Sequence, residues 1–175
     1  MNKKNINNIA NFAVKFSEEV ANKECLTVDD ISLNFNQFSV LVTSYAKKLK
    51  KLNLNKGDRV GILLFNSIEY LLLMYASMYA GFVPVNINAR YKAKELHYVL
   101  HDSKCKILFT SSQSDEVTNF SEIISSVYDS TEGQPEELID VYIIGGSKDN
   151  RFRDFKEFES IFVDDSLNEE ATGSE

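Results

Sequence analysis

The chain has 175 residues, of which 43% are apolar and 26% charged, enough for a domain with a core and too apolar for wholesale disorder. Its net charge of -7 and pI near 5.0 exclude a broad nucleic-acid surface, because phosphate binding needs a concentrated excess of Lys and Arg. The two cysteines, Cys25 and Cys105, lie far apart with no further sulfur to complete a tetrahedral metal site, a pattern that fits a reducing compartment.

The first sixteen residues, MNKKNINNIANFAVKF, start basic but lack the continuous apolar core and small-residue end of a secretory signal. The most apolar window, residues 70–85, is interrupted by Ser77 and Gly81 and falls short of the ~20 residues that a membrane span needs. A cytoplasmic protein with no membrane span is expected.

In chain order, Ile6, Ile9, Phe12, Ala13, Phe16 and Val20 recur at helical spacing, which predicts an amphipathic helix over residues 5–20. Two short apolar runs, 24–28 and 31–33, flank Asp29-Asp30 and predict a hairpin. Asn34 followed by Gln37 has capping-box spacing, and Phe38, Leu41, Val42, Tyr45, Leu49 and Leu52 mark one face of the helix it opens. Lys47, Lys48, Lys50 and Lys51 crowd the end of that helix, where cations suit the negative end of its dipole, so a solvated helix terminus explains them most simply.

Gly57-Asp58 supplies a turn, and the continuous apolar run at 60–65 predicts a strand buried on both faces. Asn66 and Glu69 repeat the capping-box spacing before a helix that is apolar nearly all round, and Gly81 ends it without a Cβ clash. Strands at 82–87, 106–110 and 138–144 alternate with helices at about 92–103 and around Phe120, Ile123, Ile124 and Val127. Phe152, Phe155 and Phe158 have the spacing of one more helical face. The predicted fold class is α/β: a mostly parallel sheet with helices on both faces, plus a small N-terminal β-hairpin. Residues 1–163 form the expected α/β subdomain. Residues 164–175 form an acidic run too poor in apolar surface to order alone, and read as a linker.

Three features invite a chemical reading. His97 and His101 lie one helical turn apart, but the motif lacks the Glu of a zinc hydrolase and a third ligand, so a half-exposed helix face is favoured and no metal is assigned. Gly145-Gly146-Ser147-Lys148 follows a strand, yet it matches neither glycine-rich phosphate motif and reads as a turn. Arg90 stands at a strand-to-helix connection, where ligands of open α/β sheets usually sit, and is the best single candidate for contacting a ligand, although a salt bridge or helix-start contact is the favoured reading. No pattern of nucleophile and base or of paired carboxylates appears, so no catalytic residue is assigned.

Several motifs occur in one order: Gly57-Asp58-Arg59-Val60-Gly61-Ile62-Leu63-Leu64, Asn66-Ser67-Ile68-Glu69-Tyr70, Tyr79-Ala80-Gly81-Phe82-Val83-Pro84-Val85-Asn86, then Glu95-Leu96 and Asp102-Ser103. Together they resemble the N-terminal region of AMP-forming acyl-CoA synthetases and their adenylating relatives. Leu33-Asn34-Phe35-Asn36-Gln37-Phe38 resembles the first core motif of that superfamily and residues 78–87 the second, with the likeness strongest over 26–112. Two positions depart from the pattern: Lys92 stands where the family usually has a capping Thr or Ser, and Asn34 stands for the more usual Thr.

The resemblance implies a parent reaction in which a carboxylic acid and ATP give an acyl-adenylate and pyrophosphate, after which a thiol, usually coenzyme A, displaces AMP. It implies ATP, Mg2+ and coenzyme A as cofactors of the parent, a carboxylic acid as its substrate, and the remainder of the ligase as a partner. The phosphate loop, the adenine and ribose motifs and the catalytic lysine of the family all lie beyond the matched motifs. The chain is therefore expected to be an N-terminal scaffold fragment that is inactive alone, with an exposed apolar surface able to promote a homodimer. Two alternatives stay open: an independent doubly wound module binding a nucleotide or phosphate near Arg90 and Gly145, and a structural interaction domain.

Overall fold

The computed structural model describes residues 11–115 and 118–163. These residues divide into two compact units, one made of 11–56, 67–82 and 162–163, the other of 57–66 and 83–161.

The first unit holds α1 (Asn11–Val14), α2 (Glu18–Ala21), β1 (Glu24–Val28), β2 (Ile31–Asn34), α3 (Phe35–Leu49) and α4 (Ile68–Ala80). The single helix predicted over 5–20 is interrupted in its described part. Ser17 is extended (ψ 155°), and the Phe16 ring packs 5.6 Å from that of Phe35, which separates two single-turn helices. Residues 5–10 lie outside the described residues. β1 and β2 pair antiparallel, with Asp29 in the left-handed region (φ 51°) at their turn.

The capping box at α3 forms as its spacing requires: Gln37 N–H donates to Asn34 Oδ1 at 2.8 Å, and Asn34 N–H to Gln37 Oε1 at 2.9 Å. Phe38, Val42, Tyr45, Ala46 and Leu49 form the buried face of α3, and Phe38 meets Tyr75 of α4 edge-on at 5.7 Å. The cap of α4 is Ser67 and not Asn66, because Ser67 is the last extended residue and its Oγ accepts from Tyr70 N–H at 3.1 Å. Gly81 closes α4 with φ +89°, a conformation that a Cβ would strain.

The second unit is built on a parallel sheet of β3 (Arg59–Ile62), β4 (Val83–Asn86), β5 (Cys105–Ser111), β6 (Asp140–Ile144) and β7 (Arg153–Asp154), in the order β4-β3-β5-β6-β7. Its helices are α5 (Ala93–Asp102), α6 (Phe120–Tyr128) and α7 (Phe155–Glu159). Side chains alternate across each strand, so the sheet has two distinct faces. On one, Leu108, Val141 and Ile143 pack with Leu96 and Leu100 of α5 and with Phe120, Ile124 and Val127 of α6. On the other, Phe109 and its register partner Tyr142 pack with Phe155 and Phe158 of α7. Helices thus cover both faces of a parallel sheet, as the sequence predicts.

Gly61 makes the first of these packings possible: a Cβ there would lie 3.1 Å from Leu108 Cδ1 and 3.4 Å from Cys105 Sγ. The helix predicted from Phe152, Phe155 and Phe158 is corrected. Phe152 precedes β7 and packs on Tyr128 with the α5 and α6 side, and only Phe155–Glu159 is helical, capped by Asp154. Those three rings therefore do not share a face. The proposed linker at 164–175 lies outside the described residues.

Candidate functional site

In the second unit the strand order reverses direction at β3, with β4 on one side and β5 on the other. Such a switch point opens a crevice at the carboxyl ends of the strands, because the connections leave in opposite directions. The structure has a concavity of about 440 Å³ there, lined by Phe65, Arg90, Gln113, Ser114 and Asp115. A second hollow of about 510 Å³ lies among Lys92, Asp115, Thr118, Asn119, Glu122 and Ser126.

Arg90 is brought to this edge by the turn after β4, where Asn88 Oδ1 accepts the Arg90 N–H at 2.9 Å. Its guanidinium donates from one terminal nitrogen to Asp115 Oδ2 at 2.8 Å and to Thr118 Oγ1 at 3.2 Å. Asp115 is itself fixed, since its Oδ1 accepts from Thr118 N–H at 2.6 Å and its own N–H donates to the Thr118 carbonyl at 2.8 Å. Thr118 is buried. The Arg90 and Asp115 side chains remain 57% and 37% exposed, so water screens the pair and its contribution is ~1 kcal/mol or less. An arginine so held is positioned but weakly committed. It presents part of its fork to the concavity beside the Phe65 ring, which rests 4.6 Å from that of Phe120.

Asp115 and Thr118 carry the site as much as Arg90 does, and sequence reasoning missed them. They lie 25 and 28 residues from Arg90 with no motif around them. The one signal available is topological: β4 and β5 flank β3 in a parallel sheet, so the segments that follow them both emerge at its carboxyl edge.

Elsewhere the candidates separate. At Gly145-Gly146 both residues are left-handed, and the Gly146 N–H is spent on the Ile143 carbonyl at 3.2 Å. Ser147 Oγ accepts from Asp149 N–H at 3.0 Å. Asp149 in turn accepts from the Arg151 guanidinium, which holds its carboxyl well down, to about 2. The loop satisfies itself. His97 Nδ1 lies 3.0 Å from Glu132 Oε2, and its ring stacks on that of His101 at 6.2 Å. Among the described residues no three His, Cys, Asp or Glu side chains are placed to hold a metal ion. Burial pushes both thiols up, that of the fully buried Cys105 and that of the partly exposed Cys25, which disfavours the thiolate a nucleophile requires.

Among the described residues no helix is long and apolar enough to cross a membrane.

A family model described as AMP-binding enzyme matches residues 13–165. Over 92 residues the chain is 37% identical to the mitochondrial medium-chain acyl-CoA ligase ACSF2 of Rattus norvegicus, a match covering 51% of this chain and 15% of that protein. It is 35% identical over 88 residues to the long-chain-fatty-acid–CoA ligase FadD13 of Mycobacterium tuberculosis, covering 50% of this chain and 18% of that one. The chain thus spans about a sixth of the length of the curated relatives it matches. Among solved structures, the anthranilate CoA ligase AuaEII, in complex with anthranoyl-AMP, superposes with a TM-score of 0.74 over 86% of this chain and 27% of that one. At 24% identity that likeness speaks for the fold alone. The N-terminal domain of FACL13 from Mycobacterium tuberculosis gives a TM-score of 0.58 at 28% identity, over 66% of this chain and 28% of that one. The chain belongs to the AMP-binding enzyme family.

Proposed function

We propose that this chain is the N-terminal α/β portion of an AMP-forming acid–thiol ligase of the fatty-acid type, and that within such an enzyme it serves as a scaffold. The observation that carries this reading is the family match across residues 13–165, in a chain that spans only about a sixth of the length of its curated relatives. The medium-chain and long-chain names of the relatives support a fatty acid as the substrate class. The parent would use ATP, Mg2+ and coenzyme A. Among the described residues no set of His, Cys, Asp or Glu converges on a cation, and the glycine turn uses its own amide, so these features do not make a site for Mg2+ or a phosphate. No chemical step is therefore assigned to them. The remainder of the ligase is the proposed partner, in a cytoplasmic enzyme.

The switch-point concavity and its arginine favour a second reading, a module that binds a nucleotide or phosphate by itself. Calorimetric titration of the chain with ATP and with coenzyme A separates the two. Under the scaffold reading neither ligand gives saturable binding tighter than about millimolar, an affinity of ~4 kcal/mol. Micromolar binding that is lost in Arg90→Ala would replace the scaffold reading with the binding module.

A further inference from the structure

Charge is unevenly spread along this chain. Residues 31–57 carry five lysines and no acidic residue, a charge of +5, while the rest of the chain carries -12 within the net of -7. The five are Lys47, Lys48, Lys50, Lys51 and Lys56, gathered at the C-terminal end of α3 and in the loop that follows it.

The backbone there is held in place. Tyr45, Ala46 and Leu49 anchor the last turns of α3 by burial. The chain then winds on past the helix, with Lys50 N–H donating to the Ala46 carbonyl at 3.1 Å, Lys51 N–H to that of Lys48 at 3.0 Å and Leu52 N–H to that of Leu49 at 3.0 Å. Asn53 turns the chain in the left-handed region (φ 52°). Around it Leu52 and Leu54, both half-buried, alternate with exposed Lys51, Asn53 and Asn55. The result is a short cationic knuckle with two partly exposed leucines among its lysines.

Helix-dipole compensation accounts for cations in the last turn of α3, such as Lys47 and Lys48, since that effect fades within a turn. It does not account for Lys51 and Lys56, nor for the lack of any acidic residue over residues 31–57 of a strongly acidic chain. We propose that the segment 47–56 docks the protein on an anionic lipid bilayer. Lysine ammonium groups suit a diffuse layer of anionic headgroups, and each adds attraction near such a surface. The half-buried leucines offer a shallow apolar contact at the acyl boundary. A single-stranded nucleic acid is the poorer fit, because it needs exposed aromatic platforms for its bases, and Tyr45, the ring over which Lys48 rests at 5.7 Å, is buried. This inference is independent of the ligase reading.

The test is co-sedimentation of the full chain with phosphatidylcholine vesicles, with and without phosphatidylserine, at low and at physiological salt. Binding is expected only to the anionic vesicles and is expected to weaken with salt. Lys51→Gln/Lys56→Gln should lower the partition coefficient about 30-fold, each exposed lysine being worth roughly a factor of five near such a surface. Lys104→Gln/Lys148→Gln, which removes two exposed lysines of the other unit, should leave it unchanged. Unchanged thermal midpoints in both variants show that the fold is intact. Equal binding to neutral vesicles, absence of salt dependence, or equal losses in the two variants overturns the proposal. So does retention of an RNA oligonucleotide by the chain at a salt concentration where anionic vesicles are ignored.

Discussion

Replacing Phe109 with alanine removes the ring on which one face of the sheet is assembled. Phe109 is fully buried on β5, with ring centroids 5.3 Å from Tyr142, 5.1 Å from Phe158 and 5.9 Å from Phe155. Tyr142 and the two α7 rings also contact one another, at 6.1 Å and 5.4 Å, so they cannot collapse into the space without breaking those contacts. Truncating a core Phe costs about 3–5 kcal/mol, the transfer free energy plus the cavity left behind, and poor collapse places Phe109→Ala toward the upper end. For a chain of this length, about 2–4 °C per kcal/mol converts this to a midpoint lowered by about 6–20 °C. Phe162→Ala makes the same chemical change at a ring that is 86% exposed, and should stay within about 0.5 kcal/mol of the parent. Urea titration and a thermal scan, both followed by far-ultraviolet circular dichroism, measure the two variants side by side. A loss below about 1 kcal/mol in Phe109→Ala, or equal losses in both, would refute the packing argument.

Two further perturbations follow from local chemistry. Asn34→Ala removes the side-chain half of the α3 capping box, the Oδ1 that accepts from Gln37 N–H, and should cost about 1 kcal/mol, whereas Asn34→Gly should cost only a few tenths; equal effects in urea titration would exclude a capping role. Asp149 titrates at about 2 in the folded chain against an ordinary 3.8, chiefly because it accepts hydrogen bonds from Arg151. Its folded pKa is depressed, so its stabilisation is fully present above the unfolded value and is lost as pH falls from about 4 toward 2. Arg151→Gln should flatten the thermal midpoint across that window, and an unchanged acid slope would contradict the assignment.

What the sequence revealed of this structure was governed by how local each determinant is. The box at Asn34 and Gln37 and the left-handed stop at Gly81 are decided within a few residues, and both stand where their chemistry puts them. The buried strands were legible from their continuous apolar runs, and parallel pairing from the helices between them. Errors arose where two local solutions compete or where a distant partner decides. Asn66 and Ser67 can both cap a helix, and backbone dihedrals chose Ser67. Phe16 left its helical periodicity to pack on Phe35, and Phe152 left that of Phe155 and Phe158 to pack on Tyr128. At the candidate site the type and position of Arg90 were legible, while Asp115 and Thr118 were not, since only the sheet order brings their loop beside it.

Acid-dependent exchange of labelled pyrophosphate into ATP tests the scaffold reading most directly, run on the 175-residue chain and, in parallel, on the native product purified from its own cells with an antibody against this chain. The expected result, across a panel of medium-chain and long-chain fatty acids, is exchange by the native product and none by the 175-residue chain. Exchange by the chain alone would contradict the scaffold role, and no exchange by the native product with any acid would contradict the ligase itself.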